Sequence, residues 1–273
     1  MWEVPKLINT LLLKAELQKI WNRPIFELAL GFVFFMALGN SSSLFEIAVE
    51  TSLQSTFTRE ATNFLVLNIG FQMLPLVMFS GLLASLSFAQ DYEQGVIQTL
   101  FSLPVSRSTV FVTKVVAIVV PLTLISWGST VFVMLINYYN TAANTLLVMQ
   151  FTAWVLPVMF LAISFYAALG VLLSLIVKRT VRAAFITILS GFFFWFITQL
   201  RENSIGKLAE YLSFTPFKAP MATLGRLIGV WYPEEALENA LPGWGFLVLM
   251  LFYVLLLLVP TYMYFTKQFE VKE

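Results

Sequence analysis

Six residues able to bear charge or redirect the chain stand close together in an otherwise apolar sequence: Asp91, Glu93, Gly95, Pro104, Arg107 and Lys114. Asp91 is the only aspartate. The two acids can accept hydrogen bonds or pair with cations, and the glycine lets the chain turn behind them. In VIQTLFSLP, Val96 or Ile97, Leu100, Phe101 and Pro104 recur at helical spacing, with Gln98, Thr99 and Ser102 between them. Pro104 ends this helix and biases Leu103 away from helical geometry. Ser106 or Ser108 can cap the third apolar span, and Arg107 and Lys114 suit the headgroup level. A short amphipathic helix of this kind, with an acidic start, can dock in a groove on a partner. It can equally do no more than anchor a turn.

The rest of the chain offers little chemistry. Histidine and cysteine are both absent, which removes disulfides, thiol chemistry, zinc sites and the commonest general base. The phosphate-cradling G-x-x-x-x-G-K-[ST] loop, H-E-x-x-H and G-x-S-x-G do not occur. No charged residue falls at mid-depth in an apolar run, where ion-coupled carriers place theirs. The chain therefore reads as a conduit that is either passive or driven through a partner.

The elements that must position these residues are membrane helices. The chain is 59% hydrophobic and only 11% charged, against about 25% charged in a soluble domain. The net charge of +1 gives no basic field for nucleic acid. A crossing helix needs roughly 17–25 mostly apolar residues. Uncharged runs cover 28–45, 61–90, 115–177, 183–200 and 239–266. The third is too long for one crossing and is divided by the polar NYYNTAANT at 137–145, so six spans are expected.

Orientation follows the lysines and arginines. With the N-terminus inside, eleven of the sixteen lie on cytoplasmic pieces. Both termini are therefore expected in the cytoplasm, and the VKRTVR turn at 177–182 is the strongest local indication. The charged N-terminus does not read as a cleavable signal. PKLINTLLLKAELQKIW reads instead as an interfacial amphipathic helix with Ile8, Leu12, Ala15 and the Lys19 stem on one side and Lys14, Glu16 and Gln18 away from it. Pro24 suits the first turn of span one. Outside, residues 201–243 are too apolar for a free loop. SFTPFKAP breaks them twice, at Pro216 and Pro220, and the segment is expected to fold back on or dip into the membrane. Gly81 and Ser85, and Ser80 and Ala84, permit close helix approach in span two.

The stretch Asp91, Glu93, Gly95, then LFSLPVSR from Leu100, then Lys114, resembles the cytoplasmic element of ABC transporter permeases of the type-2 export (ABC-2) class. It covers about 25 residues. The layout is similar too: interfacial arm, six spans, both ends inside, and a large outside segment before the last span. The resemblance implies an all-α polytopic fold in which 1–273 form one permease domain. Residues 1–23 are its arm, 24–266 its six spans and 267–273 its cytoplasmic tail. A coupling helix lies between spans two and three, and a re-entrant segment between spans five and six.

It further implies a non-enzymatic subunit in the plasma membrane, paired with a second permease copy as homodimer or heterodimer. Cytoplasmic ABC ATPase subunits bind the ATP, so no cofactor sits on this chain. Coupling to them would fall to Asp91, Glu93, Gly95, Ile97, Leu100, Phe101, Pro104, Arg107 and Lys114. The ten methionines are scattered, which gives no support for copper handling. A passive channel or ion-coupled carrier lined by Asn68, Gln72, Thr123, Ser126, Ser129, Thr130 and Ser164 is one alternative. A non-transporting scaffold is another.

Overall fold

The computed structural model describes residues 10–21, 24–39, 69–70, 72–102, 104–138, 145–200, 214–228 and 242–268. The described residues form helices and turns, with no strand among them. In chain order the helices are α1 (Thr10–Trp21), α2 (Pro24–Gly39), α3 (Gln72–Glu93), α4 (Val96–Ser102) and α5 (Arg107–Tyr138). They continue with α6 (Thr145–Val177), α7 (Thr180–Leu200), α8 (Ala219–Ile228) and α9 (Gly243–Met263). Two stretches widen into π-helix: Ser85–Ala89 inside α3, and Tyr264–Gln268 continuing α9.

Five of these helices are long and apolar enough to cross a membrane: α3, α5, α6, α7 and α9. The protein is therefore a multi-pass membrane protein. Where spans three to six were expected, α5, α6, α7 and α9 stand, and α5 ends and α6 begins at the two edges of the polar run 137–145. Span one differs. The described α2 has 16 residues, short of the roughly 17 a crossing needs, and the expected continuation to residue 45 lies outside the described residues. Span two runs on to Glu93 rather than stopping at Gln90, so Asp91 and Glu93 occupy the last turn of a helix. Both carboxylates have partners there, which makes that position tenable.

α5 and α6 have 32 and 33 residues. At ~1.5 Å per residue each is close to 50 Å long, well beyond the roughly 30 Å hydrocarbon layer, so their ends project. α6 is the central element, packed against α5, α7, α8 and α9 and the π-helical part of α3. Small residues let these helices meet. A Cβ on Gly170 of α6 would lie 2.9 Å from the Ala84 Cβ and 3.2 Å from the Gly81 Cα of α3. A Cβ on Gly81 would strike Thr187 of α7 at 2.5 Å. The small-residue stripe of span two is thus spent on packing within the subunit.

Several of the polar residues considered as a pore lining act as interhelical glue instead. Ser126 Oγ and Ser129 Oγ donate to Gln72 Oε1 at 3.0 and 3.3 Å, and Gln72 Nε2 donates to Thr130 Oγ1 at 3.3 Å. Thr123 bonds back to the Val119 carbonyl. Asn68 lies outside the described residues.

Two further expectations need correction. Pro220 does not break the chain; it is the second residue of α8, where a helix needs no backbone donor and a fixed φ favours the first turn. α8 buries Met221, Ala222 and Leu224 against α6 and α9, and Tyr253 of α9 donates to the Phe214 carbonyl at 2.6 Å. On α1, Glu16 and Ile20 are the buried residues, while Ala15 is exposed. Hydrophobic periodicity assigned Glu16 to the wrong side because a buried cation, unseen in the local pattern, draws it inward.

Candidate functional site

α3 ends at the site. Within its last turns the helix is π-helical over Ser85–Ala89, with the Gln90 N–H reaching back to the Ser85 carbonyl. Such bulges recur at functional sites. Asp91 comes next, 2% exposed, and faces Lys114 of α5, which is wholly buried. Lys114 Nζ donates at 2.5 Å to Asp91 Oδ2, at 2.5 Å to Glu16 Oε1 of α1, and at 2.8 Å to the Ser87 carbonyl in the π-helical stretch. An ammonium has three protons, and all three are used. The other oxygen of Asp91 pairs with Lys19 of α1. Two anions and two cations, from three elements, thus cancel one another.

Burying an ion costs several kcal/mol unless partners and hydrogen bonds compensate. Lys114 meets that condition, so it lies inside the protein and not among headgroups, as its position in the sequence suggested. Lys19, at the edge of the cluster, is held below the ordinary lysine pKa of 10.5, first by burial and then by Lys114, with Asp91 and Glu16 pulling the other way.

The next two residues reach elsewhere. The Tyr92 ring lies 4.7 Å from Lys178 Nζ, and Glu93 accepts from the Thr180 hydroxyl and, at 3.2 Å, from the Thr180 N–H. Lys178 has φ +54°. Its left-handed conformation ends α6 and allows reversal into α7 within two residues. Glu93 then meets the first backbone donor of α7, where a carboxylate also suits the positive helix end. DYE therefore ties α3 to the arm, to α5 and to the α6–α7 turn in three consecutive residues.

Gly95 then turns the chain with φ +72°, a region that costs other residues about 1–2 kcal/mol. α4 stands where the spacing placed it. Ile97 is 1% exposed, and Leu100 and Phe101 are half-buried. Phe101 packs edge-on to Phe265 at 5.6 Å, and Phe265 contacts Phe88 and Phe111 at 5.8 and 5.5 Å. The apolar residues of α4 thus face their own subunit, whereas Val96, Gln98, Thr99 and Ser102 are exposed. Any partner would meet that second set. Pro104 is exposed at the bend after α4, and the Arg107 guanidinium carbon lies 4.5 Å from the centre of the Phe101 ring.

Ser106 caps α5, accepting the Thr109 N–H at 3.1 Å. Ser108, the other candidate cap, bonds to Tyr262 of α9 at 2.8 Å.

The structure brings together Asp91 and Lys114, and separately Phe101 and Arg107. Glu93 stands apart on the α6–α7 turn. Sequence reasoning missed Glu16, Lys19, Ser87, Tyr92, Lys178 and Thr180. Glu16 carried a usable signal, since it stands four residues from both Leu12 and Ile20. The others carried none, being joined only in three dimensions.

A family model described as ABC-2 family transporter protein matches residues 28–268, which takes in α3 to α9. A comparison with curated proteins finds no match.

Proposed function

Because the chain belongs to the ABC-2 family of transporter proteins, we propose that this permease is the membrane half of an ATP-driven exporter energised by separate ATPase subunits. The observation that carries the reading is the placement of α4. It is clamped at both ends, through Asp91–Glu93 before it and Phe101–Arg107 after it, and turns a polar face outward. A push on α4 would be delivered at once to α1, α5 and the α6–α7 turn. In this reading Asp91, Glu93, Gly95 and Lys114 position α4. Ile97, Leu100, Phe101, Pro104 and Arg107 hold it to the spans, and Val96, Gln98, Thr99 and Ser102 meet the ATPase.

The same reading takes residues 1–273 as one domain with six spans and both termini in the cytoplasm of a plasma-membrane protein. α1 lies along the inner surface and α8 folds back from the outer side. A second permease copy completes the pathway, and ATP stays on the partner. What supports it is the set of long, apolar helices together with the eleven-to-five distribution of lysine and arginine.

The test is whether an adjacent reading frame encodes an ATPase that co-purifies with the permease, and the ATPase rate of that complex. Thr99→Arg, on the exposed face of α4, should release the ATPase while leaving thermal unfolding of the permease unchanged. An ATPase retained at the wild-type level, with an unchanged hydrolysis rate, contradicts the docking role. Cargo flux in liposomes without any ATPase would favour a passive conduit.

A further inference from the structure

A cavity of about 970 Å³ opens between α1, α2 and α5. Its walls are apolar stripes at helical spacing, Phe26, Leu30 and Phe34 on α2 facing Val116, Val120 and Leu124 on α5. Gly128 continues the α5 wall, and a Cβ there would meet nothing within 4 Å. The polar lining is confined to one edge: Thr10, Lys14 and Gln18, each four residues from the next on α1. Among the described residues, Lys14 is the only charged one lining the cavity, and all three edge residues are exposed. Trp21, 62% exposed, stands at the same rim, and tryptophan favours the headgroup level.

The lining has the form of an amphipathic ligand in negative: a long apolar trough, a hydrogen-bonding edge and a single cation. Its volume sits at the upper end of the ~300–1,000 Å³ range of small-molecule sites. We propose that it holds one anionic phospholipid of the membrane, its acyl chains between α2 and α5 and its headgroup phosphate on Lys14, Thr10 and Gln18. Neutral lipid would fill the trough but forgo Lys14. Because α1 also carries Glu16 and Lys19, the bound lipid would brace the helix that closes the ion cluster. The site does not depend on which cargo the permease moves or on ATPase docking.

The experiment is native mass spectrometry of the full chain released from nanodiscs of equal phosphatidylglycerol and phosphatidylcholine. The expected result for wild type is one retained lipid, phosphatidylglycerol favoured by about fivefold, the scale of one basic residue's attraction to anionic lipid. Lys14→Glu should abolish the preference while a lipid is still retained. Gly128→Phe should obstruct one end of the trough and lower retention of both lipids, with a thermal unfolding profile like wild type. Equal retention of the two lipids by wild type, or undiminished retention by a folded Gly128→Phe variant, overturns the proposal. If Gly128→Phe fails to fold, the Lys14→Glu comparison decides alone: an unaltered headgroup preference overturns it.

Discussion

α3 and α5 are bound to each other by two polar networks of opposite character. Toward the start of α3, Gln72 meets Ser126, Ser129 and Thr130, all neutral and all on α5. At its other end Asp91 and the Ser87 carbonyl meet Lys114, and Glu16 and Lys19 of the arm join in. From Gln72 to Asp91 is about 28 Å at ~1.5 Å per residue, close to the roughly 30 Å hydrocarbon thickness. One end of α3 is thus fastened by dipoles and the other by ions.

The difference lies in what each network joins. The neutral one fastens two neighbouring helices, at an average of ~0.6 kcal/mol per interhelical hydrogen bond in a membrane protein. The charged one fixes a separate helix, α1, to the bundle just where α4 begins. Its strength is conditional, since an ion deprived of its partner is worse than no ion at all. That suits the proposed coupling role, in which several elements would move together.

Four outcomes would sharpen or break this contrast. The largest effect belongs to Lys114→Met, which leaves Glu16 and Asp91 facing each other in a buried site. A loss of about 3–5 kcal/mol is expected, measured by thermal unfolding in micelles with a detergent series to keep the reference state fixed. A loss under about 1 kcal/mol would mean the cluster is solvated and the contrast with Gln72 false.

Asp91→Asn should do less, about 1.5–3 kcal/mol, the range of a hydrogen bond to a charged group. Lys114 keeps Glu16 and Ser87 in that variant, but Lys19 loses its anion. Chemical unfolding of Asp91→Asn beside Lys114→Met should preserve that order. Gln72→Leu is expected to cost about 0.6 kcal/mol and no more than ~1.7. A larger loss would make the neutral network the stronger fastening.

The smallest effect is a slope. Lys19 has a folded-state pKa below its ordinary 10.5. Between the lowered value and 10.5 the unfolded chain binds more protons than the folded one. The stability attributable to Lys19 should therefore rise with pH across that window and stay flat below it. A pH series of unfolding midpoints for wild type and Lys19→Met reads the difference, and a wild-type slope of opposite sign contradicts the expectation.

Much of the frame was legible. The uncharged runs located α5, α6, α7 and α9, because hydrocarbon tolerates nothing else at that length. Gly95 and Pro104 bracketed α4, because positive φ and a missing backbone donor are written in single residues. The charge partners were not legible. Asp91 finds Lys19 across 72 positions and Lys114 finds Glu16 across 98, and no periodicity spans such distances. Periodicity also misled at Glu16, where electrostatics outweighed the polarity of the side chain. On α4 the helical spacing was right, yet its apolar residues proved to be the inward anchor. The exposed face was left to Val96, Gln98, Thr99 and Ser102.

The arm and α5 form one unit, joined by charge at the foot of α4, and a double-mutant cycle of Glu16→Gln and Lys114→Met on thermal unfolding tests this most directly. A coupling of about 1–3 kcal/mol is predicted, the double variant being less damaged than the two single losses together. Additivity to within about 0.5 kcal/mol would contradict it.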